Sequence, residues 1–377
     1  MNKTYFIKNS KTVDAKSVDP CLMNKKYKIG SLFSGCGGMD LGFLGGFTFL
    51  GEDYPENPFE IVFSNDIFEQ AADCYEANLH HNVTRKSIRE ISDDEFPADD
   101  IDVLLGGFPC QTFSLAGKRK GLADPRGQLY LEMIRVLKHF KPKIFVAENV
   151  DGIRNSKKDR HGESVDKSAL DTILEDFDRA GYDVQYKVLN AADFGVPQQR
   201  RRVIIIGIRR DLGSQDSILY PQESNFENAS PGQKRWVTSK EAIDDLWDKV
   251  NRTSIPNHTF RDISKAKFYP GRKMQGNNQI NGDRPSPTIR AEHHGNIEAH
   301  YRTTNTNDPS DMAGWRRLSV RECARLQSFP DDYNFVCSAS MAYKMIGNAV
   351  PPVLAWNIAR SILAILMNLD LQVQSSE

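Results

Sequence analysis

Short apolar runs alternate with longer amphipathic stretches between residues 27 and 210. Apolar runs bounded by glycine or acidic residues predict buried strands, and apolar residues that recur at helical spacing predict helices. Leu129, Met133 and Leu137, for example, share one face of a predicted helix over residues 129–139. The first predicted strand begins at residue 27, and the others cover residues 60–66, 83–88, 101–105, 144–147, 182–188 and 203–208.

Further helices are predicted over residues 68–79 and 168–180, so strands and helices alternate along this part of the chain. Such alternation predicts a mostly parallel, doubly wound α/β sheet, which the last two strands close. Regular structure resumes at Ser319, which forms a capping-box pattern with Glu322. We expect the final helix, over residues 353–369, to pack back onto the sheet.

Residues 211–312 differ in character from the rest of the chain. They are polar, rich in Asn, Ser, Gly and Pro, and contain few long apolar runs. We interpret them as a second, smaller domain of short strands and loops. The larger domain then comprises residues 27–210 plus 313–377, and residues 1–26 form a polar N-terminal arm.

Composition and charge narrow the class of protein. The 377 residues are 39% hydrophobic and 26% charged, with a formal net charge of −1. This balance argues against a dedicated nucleic-acid scaffold, although it is compatible with a local basic cleft. The six cysteines include no CxxC pair, which indicates reduced thiols in a cytoplasmic protein. The N-terminus has no signal-peptide pattern, and the apolar run at residues 361–367 is too short to span a membrane.

Cys110 lies just beyond the predicted strand over residues 101–105, in the segment Gly-Gly-Phe-Pro-Cys-Gln-Thr-Phe at residues 106–113. Open α/β sheets bind their ligands at the carboxyl ends of strands. Pro109 fixes one backbone dihedral beside the thiol and favours an extended Phe108. A lone cysteine is most often a small buried hydrophobe, so the alternative of an aimed nucleophile depends on its neighbours.

A glycine-rich turn, Phe-Ser-Gly-Cys-Gly-Gly at residues 33–38, follows the first predicted strand. Glycines there allow the backbone to approach a ligand, although a tight structural turn has the same composition. Asp66 ends the second strand, where a carboxylate is suited either to a ribose or to capping the next helix. The turn is neither a Walker A motif nor a complete dinucleotide fingerprint. Together, the turn and Asp66 predict an adenosine-bearing ligand with no required phosphate site.

Two further segments carry candidate chemistry. Glu148 follows the strand over residues 144–147, so we expect it to share a pocket with Cys110, unless it merely caps a helix. A carboxylate there is suited to proton exchange with a heterocycle.

In the segment at residues 198–202, Arg200 and Arg202 are expected on one side of an extended chain and Arg201 on the other. Two guanidiniums suit a phosphate or a base carbonyl, whereas the common alternative is a solvated sheet edge.

These segments resemble, in order, the motifs of the C5-cytosine DNA methyltransferases of bacterial type II restriction–modification systems. The resemblance covers nearly the whole chain, and the order of the motifs makes it specific. The segments are residues 33–38 (S-adenosylmethionine loop), 107–111 (nucleophile motif), 148–150 (ENV), 198–202 (QxRxR), 284–289 (RPxxTI) and 347–352 (GN). The resemblance implies a Rossmann-like S-adenosylmethionine-dependent methyltransferase sheet and a target-recognition domain over residues 211–312.

The resemblance also implies a role for each matching residue. Cys110 is the expected nucleophile towards cytosine C6, and Glu148 is expected to hold N3 and the exocyclic amine of the base. Arg200 and Arg202 are expected to contact the base carbonyl and nearby phosphates. Ser87 stands where the family often has an acid near the adenine amine, so either this contact is weaker or the third strand lies elsewhere. The residues implied for S-adenosyl-L-methionine are Phe33, Gly35, Cys36, Gly37, Gly38, Asp66, Ile67, Ser87, Ile88, Gly107, Pro109, Leu129, Asn348 and Ala349.

Double-stranded DNA is the implied partner. Residues 114–127 are small, basic and glycine-punctuated; we prefer a lid that closes over DNA to a plain surface loop. The smaller domain carries side chains of the types that read the major groove, although any polar loop has them too. The residues expected to contact DNA are Gln111, Ser114, Lys118, Arg119, Lys120, Arg126, Arg261, Arg272, Lys273, Gln275, Asn277 and Asn278.

The expected reaction is methylation at C5 of a flipped-out cytosine within a short specific DNA sequence, through a covalent adduct with Cys110. We expect a monomer on DNA, no membrane association, and a cognate endonuclease that acts on the same site without a stable complex. The alternatives are an RNA (tRNA) cytosine-C5 methyltransferase, a catalytically silent DNA-binding module and a nicotinamide dehydrogenase. The polar domain favours DNA, because sequence readout needs an additional surface. The incomplete dinucleotide fingerprint argues against the dehydrogenase.

Overall fold

The computed structural model describes residues 11–18, 25–97, 100–109, 125–156, 166–264, 279–291, 300–303 and 314–374. Six strands form the central sheet: β1 Tyr27–Leu32, β2 Phe59–Asn65, β3 Val103–Gly106, β4 Ile144–Val150, β5 Tyr182–Asn190 and β6 Arg201–Arg209. Their spatial order is β2-β1-β3-β4-β6-β5. The sheet contains all the predicted strands except the one expected over residues 83–88.

The sheet is mixed, and the predicted α/β fold class is confirmed. β1 is parallel to β2 and β3, and β3 is parallel to β4. β6 is antiparallel to both β4 and β5. The chain passes from β1 to β2 on one side and then to β3 on the other side of β1. The carboxyl ends of β1 and β3 are therefore the topological switch point, where open sheets bind their ligands.

Helices cover both faces of the sheet. The described α-helices are α1 Gly38–Leu44, α2 Glu69–Leu79, α3 Tyr130–Phe140, α4 Ala169–Arg179, α5 Ser239–Ile243, α6 Val320–Leu326, α7 Ala339–Asn348 and α8 Pro352–Gln374. In β3, Val103 and Leu105 pack into the core beneath α1 and α8, whereas Leu104 packs into the core beneath α3 and α4. Successive strand side chains point to opposite faces, so burial on both faces requires the continuous apolar runs seen in the sequence.

The C-terminal helix α8 is a core element. Among the described residues, the stretch Ala339–Gln372 is long and apolar enough to cross a membrane, with a mean hydropathy of 1.5 in its most apolar window. Because 89% of that window is buried in the fold, core packing accounts for its apolarity. The sequence suggested a shorter run because Asn357 and Arg360 interrupt it. Both are buried, and each donates a hydrogen bond to a backbone carbonyl.

The prediction of a strand over residues 83–88 is wrong. Only an isolated bridge joins Thr84 to Asn65, and a 3-10 turn, Ile88–Glu90, follows. The Asn65 side-chain amide donates to the backbone carbonyls of Thr84 and Lys86, each at 2.8 Å. Two backbone hydrogen bonds at Thr84, to Ser64 and Asp66, and the Asn65 side chain therefore hold the segment against the sheet edge without a continuous strand.

Residues described between 211 and 312 pack against the larger domain. Ile218, Tyr220 and Ile243 are buried in the same core as α8. α5 begins with a capping box between Thr238 and Glu241. The predicted boundary at residue 211 stays a prediction. The remaining short strands pair as Thr12–Val13 with Tyr220–Pro221, Phe47–Phe49 with Glu52–Tyr54, Asn225–Phe226 with Lys234–Arg235, and Tyr301–Thr303 with Trp315–Arg317.

Candidate active site

A cavity of about 490 Å³ opens at the carboxyl ends of β1, β2 and β3, and we call it the switch-point cavity. Its volume lies in the range of small-molecule sites. Every residue predicted to bind the cofactor, except Gly37, lines this cavity. These lining residues are Phe33, Gly35, Cys36, Gly38, Asp66, Ile67, Ser87, Ile88, Gly107, Pro109, Leu129, Asn348 and Ala349.

The turn after β1 requires unusual backbone conformations. Phe33 has a φ of +56° and Gly37 a φ of +79°, both in the left-handed region. A Cβ on Gly37 would approach the side chains of Leu79 and Tyr75 at 2.7 and 2.9 Å, so this glycine lets α1 pack against α2. Gly35 also has a positive φ, but a Cβ there would meet nothing within 4 Å. Left-handed backbone in a non-glycine residue such as Phe33 is costly and concentrates at functional sites.

Asp66 connects this turn to α2. Its carboxylate accepts hydrogen bonds from the backbone N–H groups of Gly35 and Phe68, each at 2.8 Å. Burial raises the pKa of Asp66, while these backbone hydrogen bonds lower it. The same carboxylate thus fastens the turn and lies in the cavity wall. It does not cap α2, whose N-cap residue is Phe68 and has no side-chain cap hydrogen bond. Ile67 beside it is 69% exposed, which is unusual for a large apolar side chain.

Several cavity residues were missed by the sequence analysis. Lys344 and Met345, on α7, line the cavity, and the Lys344 ammonium lies 4.9 Å from the centre of the Phe68 ring. Asn65 lines it as well and holds the backbone carbonyls of Thr84 and Lys86, on either side of Arg85. The nearby motif at residues 347–352 was the only sequence signal for α7. Asn65 adjoins Asp66, but its residue type alone suggested no function.

Glu148 and Arg202 form a buried ion pair where the cavity meets β4. The Arg202 Nε lies 2.8 Å from Glu148 Oε1, and each side chain is 10% exposed. Antiparallel pairing of β4 with β6 sets Arg202 opposite Val150, two residues beyond Glu148. A Cβ on Gly107 would lie 3.6 Å from Glu148 Oε2, an ordinary contact, so the second carboxylate oxygen lies beside the end of β3. The arrangement presents a rigidly held carboxylate next to the end of β3.

Asn149 holds the backbone that leads to Cys110. Its side-chain amide donates to the Phe108 carbonyl at 3.1 Å, and its Oδ1 accepts from the Val150 N–H at 2.9 Å. Asn149 is fully buried. The end of β4 therefore fixes both the carboxylate of Glu148 and the segment before the predicted nucleophile. The sequence pattern included Asn149 in the ENV motif but assigned it no role.

Arg200 lies apart from the Glu148–Arg202 pair. Its guanidinium is 1% exposed and donates to the backbone carbonyls of Ile289, Gly347 and Ala349 at 2.8 to 2.9 Å. These bonds join the QxRxR, RPxxTI and GN segments. The alternation of the three arginines expected from the sequence is present. Arg200 and Arg202 are buried, whereas Arg201 is 62% exposed and pairs with Asp151. The geometry suits Arg200 to positioning these segments rather than to contacting a phosphate.

Most of the predicted DNA-contacting residues lie outside the described residues. Arg261 is described; it is exposed, beside a Phe260 that is 67% exposed. The side chain of Arg126 is not described. The other predicted residues outside the description are Cys110, Gln111, Ser114, Lys118, Arg119, Lys120, Arg272, Lys273, Gln275, Asn277 and Asn278.

The family model for C-5 cytosine-specific DNA methylases matches residues 27–364. The chain therefore belongs to this family. It is a DNA (cytosine-5-)-methyltransferase of the type II restriction–modification kind. The match spans the sheet, the switch-point cavity and the buried ion pair, so the resemblance drawn from the motifs is confirmed.

Known proteins are similar over most of the chain. Type II methyltransferase M.NgoFVII of Neisseria gonorrhoeae is 36% identical over 356 residues, which cover 91% of this chain and 88% of that protein. M.MthTI of Methanothermobacter thermautotrophicus is 36% identical, covering 89% of this chain and 96% of its own. The S. pombe Dnmt2 methyltransferase structure has a TM-score of 0.62 at 20% identity, covering 92% and 99% of the two chains. The Entamoeba histolytica methyltransferase EhMeth has a TM-score of 0.61 at 16% identity, covering 92% and 98%. These two structures show a shared fold.

Proposed function

We propose that this enzyme transfers the methyl group of S-adenosyl-L-methionine to C5 of a cytosine flipped out of double-stranded DNA. The cytosine lies within a short specific sequence, and Cys110 forms a covalent bond to C6 during the reaction. The modification protects host DNA from a cognate restriction endonuclease that reads the same site without a stable complex. The enzyme acts in the cytoplasm as a monomer on DNA.

The Glu148–Arg202 pair carries this proposal. Two charged side chains are buried with a separation of 2.8 Å, at the edge of a cavity and beside the backbone that leads to Cys110. Burial of an ion pair gives little stability by itself, because desolvation offsets the attraction. A site that exchanges a proton with a base explains its presence better. Glu148 Oε2 is the oxygen suited to N3 and the exocyclic amine of cytosine, while Arg202 fixes Oε1.

The switch-point cavity fits S-adenosylmethionine. Asp66 offers a carboxylate for the ribose, and the exposed Ile67 offers an apolar surface for the adenine. Gly35 leaves open space where a side chain would intrude. The described lining includes Lys86 and Lys344 but no arginine, so it lacks the guanidinium fork that suits a pyrophosphate. When bound, the sulfonium supplies an electrophilic methyl group.

Cys110 supplies the activation that cytosine needs. C5 of cytosine is a poor nucleophile, but addition of a thiolate to C6 converts C5 into an enamine carbon that accepts a methyl group. Solvent water, acting as a base, then takes the C5 proton. The C5–H electron pair re-forms the C5–C6 double bond and breaks the C6–S bond, which restores the aromatic ring and frees the Cys110 thiolate. The base cannot react inside the helix, and extruding it costs a few kcal/mol. Contacts from the protein must offset that cost.

DNA contacts are proposed for residues 114–127, as a lid, and for residues 211–312, as the target-recognition domain. The exposed Phe260 and Arg261 belong to this second region. An arginine beside an exposed aromatic ring suits a nucleic-acid surface. Arg200 has a positioning role in this proposal, because both of its Nη atoms donate to backbone carbonyls.

The test is a methyl-transfer assay on separate substrates. Purified enzyme is incubated with methyl-labelled S-adenosylmethionine and either genomic DNA or total tRNA, and modified cytosines are mapped at base resolution. The variant Cys110→Ser removes the proposed nucleophile. Cys337→Ser is the matched control, because Cys337 is a partly exposed free thiol.

We expect label at C5 of cytosine within one short DNA motif, absent from Cys110→Ser and retained by Cys337→Ser. Label in tRNA without label in DNA would replace this proposal with the RNA methyltransferase alternative. Transfer to DNA by Cys110→Ser at the unaltered rate would contradict the covalent mechanism. Label scattered over cytosines without a shared motif would contradict sequence-specific recognition.

A further inference from the structure

Asp40 is a buried carboxylate in the wall of the switch-point cavity. It lies in the first turn of α1, lines the cavity and is 0% exposed. Ser31 and Tyr75 donate hydrogen bonds to this carboxylate, the Tyr75 hydroxyl to Oδ1 over a long 3.2 Å, but its Oδ2 has no hydrogen-bond partner among the described residues. An ionised carboxylate in that position is costly unless another charge compensates it. The mechanism described above makes no use of Asp40.

The groups around Asp40 do not provide that charge. Tyr75 from α2, Tyr333 and Cys36 face it, and burial raises the pKa of each, which keeps them neutral at neutral pH. Asp66, in the same cavity wall, adds a further carboxyl whose pKa is raised by burial. α1 itself, Gly38–Leu44, contains no other charged residue.

Cationic side chains in the cavity lining and on the neighbouring helices are engaged elsewhere. Lys86, in the lining, pairs with Glu95. Arg360, on the α8 helix that packs against α1, donates to the Val18 carbonyl and lies over the Trp356 ring. Lys344, on α7, lines the cavity but lies over the Phe68 ring. In the part of the chain that the structure describes, no ion pair involves Asp40. A positively charged ligand in the cavity would supply this compensating charge.

We propose that Asp40 makes the site favour the positively charged S-adenosylmethionine over the product S-adenosylhomocysteine. The inference rests on the proposed function, since it assumes that the switch-point cavity holds this methyl donor. The two molecules differ by one methyl group and one positive charge at sulfur. A charge in a low-dielectric wall acts over several ångströms, so Asp40 needs no direct contact with the ligand. Once the methyl group has been transferred, the attraction is lost and the product leaves more readily.

The direction of the pH dependence follows from the burial of Asp40. Burial raises the pKa of Asp40 to about 6, although hydrogen bonds from Ser31 and Tyr75 lower it. A cationic ligand favours the ionised carboxylate and so lowers this pKa further. Affinity for S-adenosylmethionine is therefore full above pH 6 and falls as the pH falls below 6, because binding must then expel a proton. Affinity for S-adenosylhomocysteine changes less over the same interval.

The test measures binding rather than turnover. Dissociation constants for S-adenosylmethionine, S-adenosylhomocysteine and sinefungin are measured by calorimetry between pH 5 and pH 8. Sinefungin carries an ammonium group in place of the methyl sulfonium, so it separates the effect of charge from that of the methyl group. The variant Asp40→Asn removes the charge and keeps the shape. Asp73→Asn, at an exposed carboxylate on α2, is the matched control.

We expect the preference of the wild type for the two cationic ligands over S-adenosylhomocysteine to fall by roughly tenfold in Asp40→Asn and to be unchanged in Asp73→Asn. The wild-type preference should also fall between pH 7 and pH 5, a measurement that needs no variant. A preference independent of both pH and Asp40 would overturn this inference and leave the proposed function intact. Absence of binding of all three ligands at every pH would overturn both.

Discussion

At the residue level, the site is built from side chains whose donors and acceptors are already held by neighbouring groups. Arg202 holds one oxygen of Glu148 at 2.8 Å, and Asn149 holds the backbone before Cys110 at 3.1 Å. A group held in place before the reaction does not have to be reorganised during it. Glu148, Arg202 and Asn149 therefore form a frame into which a base can fit.

Replacing Glu148 with glutamine tests the carboxylate. The amide keeps the shape but cannot exchange a proton with N3, and it leaves Arg202 without its counter-charge. We expect kcat to fall by roughly 10²- to 10⁴-fold, measured as methyl transfer to DNA. Asp151→Asn is the control, because Asp151 pairs with the exposed Arg201 of the same strand. If Glu148→Gln transferred methyl groups to DNA as fast as Asp151→Asn, Glu148 would have no part in the chemistry.

Replacing Arg200 with lysine tests the positioning role of this arginine. A lysine cannot reproduce the fork that reaches the carbonyls of Ile289, Gly347 and Ala349. Leaving buried carbonyls unsatisfied should lower the free energy of unfolding by about 2–4 kcal/mol, measured by urea denaturation. Arg201→Lys, at an exposed neighbour, should cost less than about 0.5 kcal/mol. If Arg200→Lys is as stable as Arg201→Lys, the positioning role is wrong.

At the scale of elements, the sheet brings distant segments to one edge. β1 and β3 end at the switch-point cavity, and β4 with β6 sets the ion pair beside it. α7 completes the cavity through Lys344 and Met345. Strand ends that meet at one edge thus explain why the motifs are spread over most of the sequence.

The link between β4 and the end of β3 can be tested by Asn149→Ala. The change removes the hydrogen bond to the Phe108 carbonyl and leaves that carbonyl buried. We expect faster amide exchange in residues 104–108 and a lower kcat, with S-adenosylmethionine affinity changed by less than about threefold. Asn155→Ala, at an exposed asparagine after β4, is the control. Unchanged exchange in residues 104–108 would contradict the link.

Much of the element pattern was predictable from local signals. The capping box at Ser319 and Glu322 is present, and the apolar runs mark strands buried on both faces. The absence of a strand over residues 83–88 was not predictable in the same way, because backbone pairing there is limited to Thr84 and the Asn65 side chain supplies further hydrogen bonds. The remaining features of the site depend on contacts between residues far apart in the sequence, which local signals do not indicate. The bonds of Arg200 to Gly347 and Ala349 span well over a hundred positions, and no spacing in the sequence indicates them.

At the scale of the whole molecule, a chain with a net charge of −1 must bind a polyanion through a local surface. Such binding weakens as salt rises, with a slope set by the number of phosphates contacted. The sequence places three adjacent basic residues, Lys118, Arg119 and Lys120, in the proposed lid. The salt dependence of DNA binding therefore reports on that segment.

Alanine at Lys118, Arg119 and Lys120 together should reduce the slope of log K against log salt by about 2.7. Fluorescence anisotropy with a labelled duplex over a range of salt concentrations measures it. Lys138→Ala with Lys141→Ala is the control, because both residues lie at the C-terminal end of α3, before β4 begins. A slope that falls equally in both variants would place the phosphate contacts elsewhere.

The central claim is that Cys110 attacks C6 of a cytosine in DNA before methyl transfer to C5. The most direct test uses a duplex that contains the target motif with 5-fluorocytosine at the modified position. Fluorine cannot leave C5 as a proton does, so the adduct persists after the methyl group has been added. We predict a protein–DNA complex that survives denaturation, forms only with S-adenosylmethionine present, and maps by mass spectrometry to Cys110. A full yield of methylated product with no trapped complex, or a complex that maps to another residue, would contradict the account.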